Sequence, residues 1–177
     1  MDNKILIEQS QHWEKSFSSK PEMFGSEPSH SAKIALQNFK KNNVKHIIEL
    51  GSGLGRDTIF FAKNSIKVTA LDYSPTAVEI IKNKSNSLGL NDLIDAQTHD
   101  LRQKLNFTDN SFDGCYSHML YCMAFTYSEL ENLNNEVCRV LNKDSLNIYT
   151  VRNHLDADYK KGTHRGEDLY EMNGYIA

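Results

Sequence analysis

The chain has 177 residues, 39% of them hydrophobic and 24% charged, with a formal net charge of −3. That length suits one domain with one sizeable core, and with a slightly acidic balance whose densest basic stretch, Lys40, Lys41, Lys45 and His46, reads as a solvated helix end, no nucleic-acid partner is expected. No apolar run approaches the length needed to cross a bilayer, and Met1 to Glu8 is too short and too charged for a secretory signal.

In chain order, residues 1–43 carry two helical signals. One surrounds Trp13 and Phe17. The other runs from Ser29 to Asn42 with Ala32, Ala35, Leu36 and Phe39 on one face. The loop Pro21 to Gly25 between them exposes Met23 and Phe24. Val44 to Leu50 reads as a buried first strand that ends at a glycine cluster, and Gly55 to Lys63 as a helix packing on the sheet. Lys67 to Leu71 is a second strand closed by Asp72. Ser74 as N-cap and Pro75 at the first helical position then start a helix that stops before Gly89.

Leu93 to Thr98 reads as a third strand and Asn110 to Ser117 as a fourth. Ser128 to Glu131 has the form of a capping box ahead of an amphipathic helix bearing Leu130, Leu133, Val137 and Val140. Ser145 to Val151 is a fifth strand. Beyond it the pattern dissolves into 26 residues without a clear period, read as a lid-like or disordered tail. Alternating strands and helices predict an α/β fold, a Rossmann-like doubly wound and mainly parallel sheet. The expected organisation is a single domain: N-terminal helices or lid (1–43), a binding core (44–151) and the tail (152–177).

Cys115, Cys122 and Cys138 have no C-x-x-C spacing and read as reduced residues, so a cytoplasmic protein is expected. The grouping of His164, Glu167 and Asp168 fits no defined ligand spacing, and no metal is expected.

The informative segment is Glu49-Leu50-Gly51-Ser52-Gly53-Leu54-Gly55, at a strand-to-helix turn. Alternate glycines let the backbone bend tightly and approach a ligand closely, and the crevice beyond the strands' carboxyl ends is the default ligand site of an open α/β sheet. Asp72, 21 positions beyond Gly51, ends the second strand. Alone it would read as a turn aspartate; paired with the glycine turn it reads as a carboxylate for ribose hydroxyls. The dinucleotide pattern G-x-G-x-x-G does not fit, because Arg56 or Thr58 occupies the third glycine's place in either register. Glu49 also disfavours a neighbouring pyrophosphate. An NAD(P)-dependent oxidoreductase is therefore the weaker alternative.

These segments resemble a known family. Glu49 to Gly55 and Ala70 to Pro75 look like motifs I and II of class I S-adenosylmethionine-dependent methyltransferases. Thr98 to Leu101, Ser111 to Ser117 and Arg139 to Leu141 look like their later motifs. The resemblance spans roughly residues 44 to 151 and points to small-molecule enzymes of the methyltransferase-11 and tellurite-resistance type.

The resemblance implies S-adenosylmethionine as cofactor and a small-molecule acceptor. Gly51, Gly53 and Gly55 would form the donor loop, with Glu49 near the ammonium through water. Asp72 would take the ribose hydroxyls and Tyr73 would flank the adenine. Asp100 would accept from the adenine amino group, the Leu101 backbone would read the ring edge, and Ser117 would face the methionine end. Trp13, Phe17, Met23, Phe24, His118, Met119 and Tyr121 are substrate-side or lid candidates. Trp13 and Phe17 serve equally well as core residues, and His118 reads as a hydrogen-bonded pocket or core histidine ahead of a general base. A sulfonium methyl is already activated, so alignment and water exclusion suffice.

Two departures stand out. Asn142-Lys143-Asp144 replaces the family's glycine-rich turn before strand five, and the chain is too short for the family's last β-hairpin. That would leave strand five as an open edge carrying Leu146, Ile148 and Val151, suited to homodimer formation or marking a destabilised or non-catalytic donor-binding fragment.

Overall fold

The computed structural model describes residues 3–172 and 174–177. Met1 and Asp2, which head the segment read as no secretory signal, and Asn173 of the tail lie outside the described residues.

Five strands form the central sheet: β1 (His46–Leu50), β2 (Lys67–Asp72), β3 (Ile94–Thr98), β4 (Phe112–His118) and β5 (Leu141–Thr150). Their order is β3-β2-β1-β4-β5, and every neighbouring pair is parallel. A parallel sheet needs both faces covered, and β1 shows why this sequence can supply that. Its side chains alternate between two apolar clusters, Ile47 in one and Ile48 and Leu50 in the other, all fully buried. Each is worth about 1.5–3 kcal/mol over the exposed state.

Helices α2 (His30–Lys41), α3 (Arg56–Lys63) and α4 (Pro75–Leu88) cover the Ile47 face through Phe39, Phe61 and Ile81. Helix α5 (Tyr127–Val140) covers the other through Leu133, Val137 and Val140, joined by Leu101, Leu105 and Phe125 from loops. Ser29 and Ser74 cap α2 and α4, each side chain accepting from the N–H three residues on, and Gly89 in the left-handed region ends α4. Helix α1 (Asn3–Ser19) lies across the carboxyl end of the sheet. There Phe17 packs with Leu54 and Ala77, and Trp13 lies against them.

Three expectations need correction. The capping box of α5 is Thr126 with Glu129, not Ser128 with Glu131: Glu129 N–H donates to the Thr126 hydroxyl and Thr126 N–H to Glu129 Oε2. Both spellings satisfy the pattern, and the one that starts the helix two residues earlier forms. Strand five begins at Leu141, directly after α5. Asn142–Ser145 bulge out between the Phe112–Leu141 and Gly114–Leu146 pairings, with Asp144 at φ 65.

The tail is not structureless. It forms a separate antiparallel sheet of β6 (Thr163–His164), β7 (Tyr170–Met172) and β8 (Tyr175–Ile176). Ile176 N–H donates to Gln9 Oε1 of α1, and Leu169 and Ile176 are buried with Ala124. Runs of two or three residues carry no periodicity to read, so only tertiary contact reveals them. Among the described strands none covers the outer edge of β5.

Candidate functional site

The strand order reverses between β1 and β4, which opens a crevice at their carboxyl ends. The turn after β1 is hooked onto β2, since Gly51 N–H and Ser52 N–H both donate to Leu71 O at 2.9 and 3.0 Å. Gly51 has φ +67, and a Cβ there would lie 2.9 Å from Leu120 Cδ1. Gly53 N–H donates to Asp72 Oδ2 at 2.8 Å, while Ser74 N–H donates to Oδ1 at 2.9 Å. The glycine turn and the carboxylate predicted to act together are thus directly bonded.

A cavity of about 330 Å³ fills the crevice. Of the residues expected at the site, Glu49, Gly51, Gly53, Asp72, Tyr73, Asp100 and Leu101 line it, together with Trp13, Phe17, Phe24, His118 and Met119. Gly55 and Ser117 do not. Gly55, at φ +76, is the N-cap of α3 and faces α4, where a Cβ would meet Ile81 Cγ1 at 2.5 Å. Ser117 is fully buried opposite Leu50, and among the described residues its hydroxyl has no hydrogen-bond partner. Met23 also lies outside this cavity, and Tyr121 lines a second one.

The acids of the cleft are strained electrostatically. Burial pushes Asp72 up to about 6, against the pull of the Ser74 and Gly53 N–H groups. Burial raises Glu49 well above the carboxylate range too, helped by the nearby charge of Asp57, although Thr58 Oγ1 donates to its Oε2 at 2.6 Å. Among the described residues no cation lies beside either acid, so a positive group entering the cleft next to Glu49 would be strongly favoured. Asp100 differs. The Arg102 guanidinium grips both its oxygens at 2.8 and 2.6 Å, and against the cost of burial this holds its carboxyl below the usual range. An adenine amino group would have to share a carboxylate already held by arginine.

The aromatic wall is continuous. Trp13 stacks on Phe17 at 5.6 Å between ring centroids, and Phe17 meets Phe24 at 6.3 Å. Arg56 lies 5.7 Å over the Phe24 ring and donates to Phe24 O at 3.0 Å, which ties the loop to α3. Phe17 is both core and wall: buried against Leu54 and Ala77, it still borders the cavity.

Residues 47–144 match the family model of the methyltransferase domain. The chain belongs to that family. No curated protein matches it. A SAM-dependent methyltransferase from Aquifex aeolicus is 19% identical, with a TM-score of 0.55, the match covering 77% of this chain and 70% of that one. Geranyl diphosphate methyltransferase in complex with SAM is 14% identical at TM-score 0.58, covering 67% and 47%. The [4+2]-cyclase SpnF is 17% identical at TM-score 0.61, covering 75% and 55%. At such identities the likeness shows the fold alone. The chain spans 43% of the length of a Galdieria sulphuraria structure on this fold, 55% of SpnF and 62% of one from Methanococcus maripaludis.

In this methyltransferase domain several site residues escape a reading by motif. Arg102 follows Asp100 by two positions, a spacing open to local side-chain bonding but with no mark of its own. Asp57 sits in the first turn of α3, where an acid is expected for the helix dipole and therefore passes unnoticed. Glu14 of α1 accepts from the hydroxyls of Ser74 and Thr76, tying α1 to the start of α4.

Arg152, just past β5, lines both the main cavity and a second one of about 370 Å³, as do Met123 and Phe125. Tyr121, Tyr127, Tyr159, Tyr170 and Tyr175 wall that second cavity. Arg152 donates to Tyr175 Oη at 3.2 Å, and among the described residues its buried Nε has no hydrogen-bond partner, Asp156 Oδ2 lying 3.9 Å away. Among the described residues no group of His, Cys, Asp and Glu is arranged to hold a metal, and no helix is long and apolar enough to cross a membrane.

Proposed function

We propose that this domain binds S-adenosylmethionine in the main cavity and transfers its methyl group to a small acceptor. The observation that carries the reading is the direct bond between the Gly53 N–H and buried Asp72 at the mouth of the cleft. It sets a carboxylate with spare lone pairs beside a backbone that no Cβ obstructs. The residues fit the group. Asp72 would receive ribose hydroxyls, Tyr73 and Leu101 would border the base, and Glu49 would meet the α-ammonium, which would lower its raised pKa. When bound, the cofactor supplies an activated sulfonium methyl. The chain's own part is to orient it and exclude water, for which the Trp13–Phe17–Phe24 wall is suited.

The tyrosine-walled second cavity is the acceptor's place in this reading, since it shares Arg152, Met123 and Phe125 with the donor cleft. The N-terminal segment 1–43 and the folded tail 152–177 act as covers over the core 44–151. A reducing, cytoplasmic setting accords with the free Cys115, Cys122 and Cys138, and the open β5 edge accords with self-association.

Thermal-shift measurements with S-adenosylhomocysteine and with NAD test the donor. Stabilisation by the first and not the second is expected, and stabilisation by NAD alone overturns the reading. Release of S-adenosylhomocysteine across a panel of small acceptors then tests transfer. SpnF, a cyclase on this fold, shows why the second assay is needed.

A further inference from the structure

A chain of buried and half-buried hydroxyls runs from α3 to the cleft through residues that donor binding does not use. Asp57 Oδ1 accepts from Ser29 N–H at 2.7 Å, and Oδ2 accepts from Ser29 Oγ at 2.7 Å and Tyr116 Oη at 3.0 Å. Ser31 Oγ stands 2.9 Å from Ser29 Oγ, 3.0 Å from Tyr116 Oη and 2.9 Å from His118 Nδ1. Thr150 Oγ1 lies 2.8 Å from the same Nδ1 and accepts from Met119 N–H at 3.0 Å. His118 is half-buried in the wall of the main cavity, and among the described residues its Nε2 has no hydrogen-bonding partner.

Proton accounting gives this chain a direction. Three donors converge on Asp57, so both its oxygens serve as acceptors, and Arg56 Nε lies 3.7 Å from Oδ1. The single protons of Ser29 Oγ and Tyr116 Oη are then both committed to Asp57. Their contacts with Ser31 Oγ are attractive only if Ser31 donates to one of them. With its proton so used, Ser31 meets Nδ1 with lone pairs alone; a proton on Nδ1 satisfies the Ser31 and Thr150 contacts together, whereas a bare Nδ1 could accept from Thr150 only and would face Ser31 lone pair to lone pair. We infer that the Asp57–Ser29/Tyr116–Ser31 chain locks His118 in the Nδ1–H tautomer and presents an unprotonated Nε2 to the cleft as the proton acceptor for methyl transfer.

This inference rests on the methyl-transfer reading and narrows it to acceptors whose nucleophilic atom carries a removable proton, such as a hydroxyl or a protonated nitrogen. The acceptor atom forms its bond to the methyl carbon as its proton passes to Nε2, and the electron pair of the broken carbon–sulfur bond stays on sulfur. The imidazolium so formed keeps Nδ1–H on Ser31 and Thr150, with the Asp57 charge at the chain's far end opposing the positive charge of Arg56. Burial, with Arg56, keeps His118 below the ordinary histidine range, so that it enters the reaction neutral. His118 touches the reacting atoms in this scheme; Ser31, Tyr116 and Asp57 are positioning residues.

Long-range nitrogen–proton NMR correlation on ¹⁵N-histidine-labelled protein at pH 7.5 reads the tautomer directly, with His118→Gln identifying its signals. The Nδ1–H form should exceed the Nε2–H form, which a solvated imidazole prefers, by about tenfold. Tyr116→Phe and Ser31→Ala should each reduce that excess severalfold. A predominant Nε2–H form, or a ratio unmoved in both variants, overturns the inference. S-adenosylhomocysteine affinity, measured by calorimetry on the same samples, is a separate axis: its absence would count against the donor reading and would not alter the tautomer result.

Discussion

At the residue scale the site spends stability on function. Asp72 is held at about 6 in the folded state against an ordinary value of 3.8, chiefly by burial. Between those values the folded chain binds a proton that the unfolded chain has lost, so stability falls as pH rises through the window. The full penalty, roughly 3 kcal/mol, is present above pH 6. Asp72→Asn relieves part of it. The variant should melt above wild type at pH 7.5, the gain vanishing near pH 4, while S-adenosylhomocysteine affinity falls. A melt at pH 7.5 no higher than wild type would contradict this. Gly55→Ala tests packing instead, because its Cβ would lie 2.5 Å from Ile81 Cγ1 at φ +76. Denaturant titration should show a loss of about 2–4 kcal/mol.

What the sequence disclosed at this scale was what is local. Gly51, Gly53 and Asp72 lie at strand ends whose apolar runs are plain, and their mutual bond follows from two parallel neighbours. The Arg102 grip on Asp100 and the hydroxyl chain to His118 were hidden. The latter joins residues of α2, α3, β4 and β5, far apart in sequence and of unremarkable type. Gly55 was grouped with its two neighbours by pattern, yet its side of the turn faces α4.

At the element scale the cap of α5 and the docking of α1 make separable predictions. Thr126→Ala should cost about 1 kcal/mol and Ser128→Ala much less, the reverse of what a Ser128 box would give; thermal melts of the two variants decide. Burial draws the Glu14 carboxyl upward, but the Ser74 and Thr76 hydroxyls outweigh it and hold its pKa below the usual range. Its contribution is therefore present at neutral pH and lost as pH falls through that lowered value. Glu14→Gln should raise hydrogen exchange across α1 while leaving β1 and β4 protected. Unchanged exchange in α1 would show that Trp13 and Phe17 alone hold the helix. The major elements were legible because their periods of two and 3.6 are long enough to count. The tail's strands of two and three residues were not, because they rest on tertiary contacts such as those with Gln9 and Ala124.

At the scale of the whole molecule, the parallel sheet places its apolar interior at β1 and its exposed edge at β5, where Tyr149 and Val151 remain about half exposed. Edge strands of this kind pair with a second copy unless blunted. Sedimentation analysis should show self-association, and Tyr149→Lys should shift the population to monomer. A wild-type monomer at high concentration would remove the edge from consideration. The sheet order puts β4 between that edge and the glycine turn with Asp72, so S-adenosylhomocysteine affinity should not depend on protein concentration.

The central claim is that the cleft between the glycine turn and Asp72 holds an adenosyl amino acid. Calorimetric titration of S-adenosylhomocysteine into wild type and Asp72→Ala tests it most directly. The account predicts one site per chain in wild type and at least a tenfold weaker constant in the variant, with the variant still folded. Equal affinity in the two proteins, or no binding to a folded wild type, would contradict it.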